Sequence, residues 1–351
     1  MEDLKTQARQ WNRVYKLLKQ NVTLEDLLEN EPWLKTHIPV SLKKAAAQET
    51  VPIPDAVCQR VRKLCGLSPT EVDTIAQLIN LPEQGNTRYD LYYNYIELGD
   101  DRDIRGYTVT IFGACSGTGD LLHIFEQLEK INPRHALLKY LPALRKAKGG
   151  NIKGIEGLGH VNGDPKKAKA NYANFSADAP RAHLDHIDGD LARLPLGDTD
   201  WQLAVWTVFI DLYWESAMHF CAKTGACADR PGPRLTTTLA LAFLVDTCLN
   251  HGPASYWNST AMWGFMKKLP AVPTEDEHEF LRHLIHARRV YLRSGYGGLD
   301  WSKTGDRCLL YAKLLEEENY DLQRPIQCAD STAKPFPIWQ PGQVIARKAP
   351  L

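Results

Sequence analysis

The chain has 351 residues, of which 44% are hydrophobic and 24% charged, an ordinary globular balance that excludes disordered and fibrous classes. At about 150 residues per domain, this length allows two domains or one large domain with insertions. Lys+Arg and Asp+Glu both count 42, so the basic surplus of a nucleic-acid binder is missing.

The longest apolar runs, Leu203–Tyr213 and Leu239–Val245, fall well short of the ~20 residues of a membrane span. The opening Met-Glu-Asp-Leu-Lys-Thr-Gln lacks a basic segment followed by an apolar one, so no secretory signal is read there. The eight cysteines include no Cys-x-x-Cys pair, which argues against zinc ribbons and thioredoxin chemistry. Cys58/Cys65 and Cys221/Cys227 are the disulfide candidates, against the alternative of eight thiols.

In chain order, residues 4–20 read as an amphipathic helix with Trp11, Val14, Leu17 and Leu18 on one stripe. Thr23 opens a short second helix, and 36–57 reads as a linker or extended cover. Ser68-Pro69-Thr70-Glu71 is a capping box with proline at the first helical position. The helix it opens runs through Val72, Ile75, Ala76, Ile79 and Leu81, and Pro82 is expected to stop it, leaving Glu83 just past its end. A helix is expected from Thr87 through Tyr92, Tyr93, Tyr95 and Ile96. The polar loop 99–106 leads into an alternating strand, Tyr107–Phe112, then a glycine-rich turn over 113–119 and a helix from Asp120. Helical segments follow over 121–130 and 137–146. Residues 148–200 read as a long irregular insertion. Long helices are expected over 199–223, 235–250 and 275–293, a last one over 306–317, and a proline-rich tail from Ser331. The expected class is mainly helical, α+β, with one small antiparallel sheet near 98–113.

The segment 83–120 concentrates carboxylates in different settings: Glu83, Glu97, Asp100, Asp101, Asp103 and Asp120, with Arg102 and Arg105 among them. Glycoside hydrolysis needs one protonated acid and one ionised base. Glu83 sits where the negative end of a helix dipole favours the protonated form. Asp103 lies between two arginines that favour the carboxylate, and the Thr108 hydroxyl is placed to hold a water. The plainer reading of the same residues is a solvated acidic loop with surface ion pairs.

Arg105-Gly-Tyr-Thr108, followed by Phe112-Gly-Ala-Cys-Ser-Gly-Thr-Gly-Asp120, resembles the signature of the chitosanases of glycoside hydrolase family 46. Tyr95-Ile-Glu97, Asn132-Pro133, Lys139-Tyr-Leu-Pro-Ala-Leu144, Val245-Asp246, Asn250-His251-Gly252-Pro253 and His286-Ala-Arg288 extend the match in the same order, over about residues 68–325. The resemblance implies a lysozyme-like, two-lobed helical fold with a small antiparallel sheet beside the cleft. It implies an inverting endo-hydrolase of β-1,4-linked glucosamine polymers. Glu83 is the implied general acid, lying fourteen residues before Glu97. Asp103 is the implied base, and Thr108 positions the attacking water. Arg105, Asp120, His251 and Tyr95 are the implied substrate contacts, with Asp120 recognising a glucosamine ammonium. Asp246, Arg288 and Arg307 resemble an ion-pair network behind the acid.

The family's loop usually reads Ile-Glu-Asp-Ile-Gly-Asp-x-Arg-Gly-Tyr-Thr, whereas Ile96–Thr108 is two residues longer. Alignment from the right makes Asp103 the base; alignment from the left makes it Asp100 or Asp101. The implied domains are a helical extension (1–67), a catalytic domain (68–330, with the 148–200 insertion) and a tail (331–351).

The expected partner is chitosan, polymer or oligosaccharide, acted on by a monomer outside the cell, with no nucleic acid, membrane, metal or cofactor. An acidic field from Asp100, Asp101, Glu97, Asp120 and the Asp185/Asp188/Asp190 group would attract this polycation. Tyr89, Tyr95 and Trp257 are candidates for stacking on sugars or for the core. Tyr107–Leu122 also fits part of a dinucleotide fingerprint, but no second strand follows at the spacing that fold needs. His183-x-x-His186 and the Glu279/His283/His286 set give only partial metal-ligand spacing.

Overall fold

The computed structural model describes residues 53–84, 89, 93–98, 107–116, 119–148, 184, 186–195, 197–222, 233–253, 261–269, 275–294, 302–328 and 344–345. The helices expected over 4–20 and from Thr23, and most of the 148–200 insertion, lie outside them.

Helix α1 (Asp55–Cys65) was not marked by the sequence reading. Its apolar stripe is short: Val57 and Val61, one turn apart, are buried, with Leu64 partly buried after them. Cys58 and Cys65 both lie on it and are not bonded to each other. Seven residues along a helix is about 10 Å, beyond the ~5.5–6 Å Cα separation of a disulfide. Cys227 lies outside the described residues.

Helix α2 (Pro69–Gln84) begins as the capping box specifies. The Ser68 amide and hydroxyl both donate to Glu71 Oε2 (2.7 and 2.6 Å), and the Glu71 amide donates to Ser68 Oγ at 3.3 Å. Pro82 does not stop this helix: it lies inside it, and Glu83 belongs to the last turn. Proline removes one ladder bond and crowds the carbonyl four residues back. That close to a helix end, only one further residue pair follows it.

Strands β1 (Ile96–Leu98), β2 (Tyr107–Val109) and β3 (Ala114–Cys115) form an antiparallel sheet in chain order. Thr108 is the middle residue, paired with Glu97 on one side and Cys115 on the other. Ile96 is therefore strand, not helix: pairing with Val109 outweighs the helical spacing of the tyrosines before it. The strand expected through Phe112 ends at Val109, because Thr110 turns to φ 71° and the Gly113 amide donates to the Thr110 carbonyl at 3.2 Å. Gly119, at φ 93°, takes a left-handed conformation before α3 (Asp120–Ile131). A 3-10 turn (Ala136–Tyr140), α4 (Leu141–Lys148) and α5 (Ile187–Arg193) follow.

Over the span 199–223, expected as one helix, three consecutive segments are found: α6 (Thr199–Phe209), a π turn (Ile210–Trp214) and α7 (Glu215–Ala222). Arg60 bridges the π turn to the next segment, donating to Asp211 and, at 2.7 Å, to Glu215. Helix α8 (Thr238–His251) is capped by Thr237, whose hydroxyl accepts the Ala240 amide, and ends at Gly252. A 3-10 segment (Ala261–Lys268) precedes α9 (Glu277–Arg293), which is capped by Asp276. Short α10 (Ser302–Gly305) and α11 (Cys308–Glu316) complete the helices. Of the tail, Val344–Ile345 (β5) pairs antiparallel with Ile326–Gln327 (β4).

The described chain divides into two compact units that do not follow chain order. The first, within Arg88–Val208, carries the three-stranded sheet. Its core forms around Tyr93, which accepts the Trp201 indole N–H at its carbonyl (2.9 Å) and the Trp206 indole N–H at its hydroxyl. Phe112 and Phe125 meet these tryptophans edge-on. The second unit, Cys58–Thr87 with Phe209–Ala349, is mainly helical and also holds the β4–β5 pair. There Trp263 stacks between Phe220 and Phe265, and Phe243 meets Tyr311 edge-on. No described helix is long and apolar enough to cross a membrane.

Candidate active site

Glu83 comes from the last turn of α2, in the helical unit. Its carboxylate accepts Arg307 Nη2 at 2.5 Å. The same nitrogen donates to Asp246 Oδ1 at 2.7 Å. Asp246 projects from α8 and is fully buried, and its other oxygen accepts Arg288 Nη1 at 2.7 Å. Arg288, from α9, is equally buried; it donates to Asn250 Oδ1 (3.3 Å) and from Nε to His251 Nε2 (3.1 Å), and lies over the Phe243 ring. Two guanidinium groups thus face two carboxylates, and the net charge of the network is zero with Glu83 ionised.

Of the four charged groups Glu83 reaches solvent most. Its side chain is 26% exposed, against 4% for Arg307 and none for Asp246 and Arg288. Burial opposes the charge of Arg307, but the Asp246 and Glu83 carboxylates outweigh it and hold the guanidinium protonated. Burial and the Asp246 charge together push the Tyr311 phenol well above its ordinary value. Burial also raises the Cys308 thiol, to about 11. The sequence argument for Glu83 rested on the helix end; the nearer neighbour is Arg307, brought from 224 residues along the chain.

In the other unit Thr108 is half-exposed at the centre of the sheet. Its hydroxyl lies 3.5 Å from Cys115 Sγ on the neighbouring strand. Asp120 pins the turn that follows: its Oδ1 accepts the amides of Cys115 (2.8 Å) and Leu121 (3.2 Å). The expected substrate contacts Tyr95, Asp120 and His251 are all buried, with 4, 6 and 3% exposure. The partners found for Asp120 and His251 are protein groups, and the Tyr95 carbonyl accepts the Thr110 amide. Asp103, Arg105, Asp100, Asp101 and Trp257 lie outside the described residues. Tyr89 is core, edge-on to Tyr93 and Trp206.

Asp190, expected to add to an acidic field, is instead compensated. Lys139 at 2.5 Å, Arg193 at 2.7 Å and the Tyr140 hydroxyl converge on it. Partial burial raises its pKa, but these partners outweigh that and bring it down to about 2. The antiparallel sheet also removes the dinucleotide reading, which needs parallel strands joined through a helix. Among the described residues no cluster of three or more His, Cys, Asp or Glu could hold a metal.

Asn250, Phe243, Tyr311 and Cys115 were not singled out from the sequence. Asn250 and Cys115 lie inside quoted motifs, so a signal was present for them. Phe243 and Tyr311 look like ordinary apolar-face residues, and only the packing reveals their place beside the ion pairs.

Comparison with known proteins places these features in a family. The description "Glycosyl hydrolase family 46" matches residues 77–187 and 190–326. A chitosanase of Nocardioides sp. (strain N106) is 38% identical over 112 residues, a stretch covering 32% of this chain and 39% of that protein. A chitosanase of Bacillus subtilis (strain 168) is 27% identical over 273 residues, 74% of this chain and 82% of that one. Among solved structures, a chitosanase from Bacillus subtilis MY002 complexed with six GlcN units superposes with a TM-score of 0.54 at 24% identity, covering 80% of this chain and 100% of that one. A Gynuella sunshinyii chitosanase in complex with chitotetraose gives 0.51 at 23%, covering 74% and 94%. The shared fold is the lysozyme-like one. With its profile matched across both compact units, the chain belongs to glycosyl hydrolase family 46.

Proposed function

We propose that the chain is an endo-acting, inverting chitosanase that hydrolyses β-1,4-glucosamine linkages, with Glu83 as general acid and Asp103 as general base. The observation that carries this reading is the Glu83 carboxyl, presented to solvent from an otherwise buried arginine–aspartate network. Such a network fixes the position of an acid while leaving it accessible. Family membership and the names of the relatives, chitosanases throughout, support the substrate class.

The step balances as follows. Glu83 donates its proton to the glycosidic oxygen as the bond from that oxygen to the anomeric carbon breaks. A water attacks the same carbon from the opposite face, and Asp103 takes the water's proton. Thr108 holds the water. Attack by water rather than by a carboxylate inverts the anomeric centre. Asp101 or Asp100 takes the place of Asp103 if the two extra loop residues move the base. Asp120 and His251 act by holding the glycine-rich turn and the acid network in place. A polymeric, cationic substrate supports an enzyme that acts outside the cell, and we propose that it does so as a monomer.

The test is NMR of the first products from a glucosamine hexasaccharide, for wild type, Glu83→Gln and Asp103→Asn. The expected result is α-anomers from wild type and loss of about 10²–10⁴-fold in rate for each variant. Retained activity in Asp103→Asn would move the base to Asp101. Cleavage confined to partly N-acetylated chains would point to a lysozyme-like specificity, and binding without cleavage to an inactive chitosan-binding protein.

A further inference from the structure

An attacking water needs two acceptors. Both of its protons must point away from the sugar so that a lone pair faces the anomeric carbon. A carboxylate can only accept, but a threonine hydroxyl can equally donate, and a donating hydroxyl would turn the water the wrong way. Whatever fixes the direction of the Thr108 hydroxyl therefore matters to the reaction.

Two contacts of one sulfur bear on it. The Thr108 hydroxyl lies 3.5 Å from Cys115 Sγ, directly across the β2–β3 pair. Cys115 is 1% exposed, and its thiol points at the Gly113 carbonyl at 3.2 Å. A thiol has one proton. With that proton directed to Gly113, the sulfur meets Thr108 as an acceptor, and the hydroxyl proton belongs on the sulfur side. Thr108 is β-branched, which itself restricts its χ1 to few rotamers. Gly113 itself is held by the turn, with φ 65° and its amide on the Thr110 carbonyl.

We infer that Cys115 is a positioning residue, whose thiol commits the Thr108 hydroxyl as an acceptor and so orients the attacking water. The relay runs from water to Thr108 Oγ1, from Thr108 O–H to Cys115 Sγ, and from Cys115 S–H to the Gly113 carbonyl. No proton leaves this relay during turnover; it sets direction only. The inference rests on Thr108 holding the water.

The experiment is steady-state kinetics on the glucosamine hexasaccharide for Cys115→Ser, Cys115→Ala, Cys115→Val, Thr108→Val and Thr108→Val/Cys115→Ala, with melting temperatures for all. Serine keeps one proton and an acceptor, and should hold kcat within about 3-fold of wild type. Alanine and valine should lower kcat by about 5–10-fold, the worth of one hydrogen bond made in the transition state, with KM unchanged. Valine fills the space, so a loss there does not come from a cavity. In the Thr108→Val background, Cys115→Ala should add nothing. Wild-type kcat in Cys115→Val, or losses that multiply in the double variant, would overturn the role of Cys115. Wild-type kcat in Thr108→Val would instead overturn the reading of Thr108, and the inference with it.

Discussion

Replacing Asp246 by asparagine tests the acid network most directly. Asp246 is fully buried and is the anion shared by both arginines, at 2.7 Å from each. Asparagine keeps the volume but removes the charge. It also turns one acceptor oxygen into an N–H, so one of the two guanidinium groups faces a donor. Four charges summing to zero become three summing to +1. Breaking a buried pair by neutralising one partner costs about 3–5 kcal/mol. Arg288 keeps His251 and Asn250 as neutral acceptors and Arg307 keeps Glu83, which sets the expectation at the lower end, about 3 kcal/mol. At about 1.4 °C per kcal/mol for a chain of 351 residues, the melting temperature should fall by about 4 °C. Scanning calorimetry measures it, with Asp306→Asn as control. That pair with Arg293 is exposed, at 23 and 51%, and its loss should cost under about 1 kcal/mol. Well below the melting temperature, kcat should still fall by about 10²-fold, because Arg307 loses one of the two anchors that place Glu83. If Asp246→Asn costs no more than the control, the network does not hold the charges together as described.

Two further outcomes follow from buried groups. Tyr311→Phe should be neutral or stabilising by about 1 kcal/mol, since the phenol hydroxyl is buried with no hydrogen-bond partner. Its raised pKa makes stability pH-dependent in one direction. Below about pH 10 both states are protonated and nothing changes; above it the unfolded chain ionises while the folded one resists, so stability falls as pH rises. Denaturant titrations between about pH 9 and 11 should show a shallower alkaline loss in the phenylalanine variant, and an unchanged slope would refute the assignment. Arg324→Met should lower the urea midpoint by an amount equivalent to about 3 kcal/mol, because it removes the guanidinium paired with the buried Asp73 carboxylate, 2% exposed, and leaves it the Gln77 amide as a neutral donor. Adding Asp73→Asn should recover part of that loss, and no recovery would show that Arg324 acts through packing alone.

Most helices were legible in the sequence because their signals are local. Ser68 and Glu71 cap α2 from adjacent positions, and Asp120 follows a glycine free to take positive φ before α3. The long helices α8 and α9 fell within a few residues of expectation, because apolar periodicity and terminal residues mark them together. Elements decided by distant partners were misread. Ile96 lies in a strand only because Val109 arrives to pair with it, and Tyr107–Phe112 is cut short by a turn at Thr110.

The candidate site divides in the same way. Sequence alone singled out these residues: Thr108 and Asp246 lie in contiguous motifs, and Glu83 stands fourteen residues before the Glu97 motif. Only the tertiary structure decided what those residues face. Arg307 reaches Glu83 across 224 residues of chain, and Arg288 reaches Asp246 across 42, so neither electrostatic environment can be read from neighbours in sequence. Asp190 is neutralised by Lys139 from another element, and Asp120 is turned inward by the amide of Cys115. A carboxylate's role follows from its solvation and its nearest charges, and these are set by which helices pack together, not by the residues on either side of it.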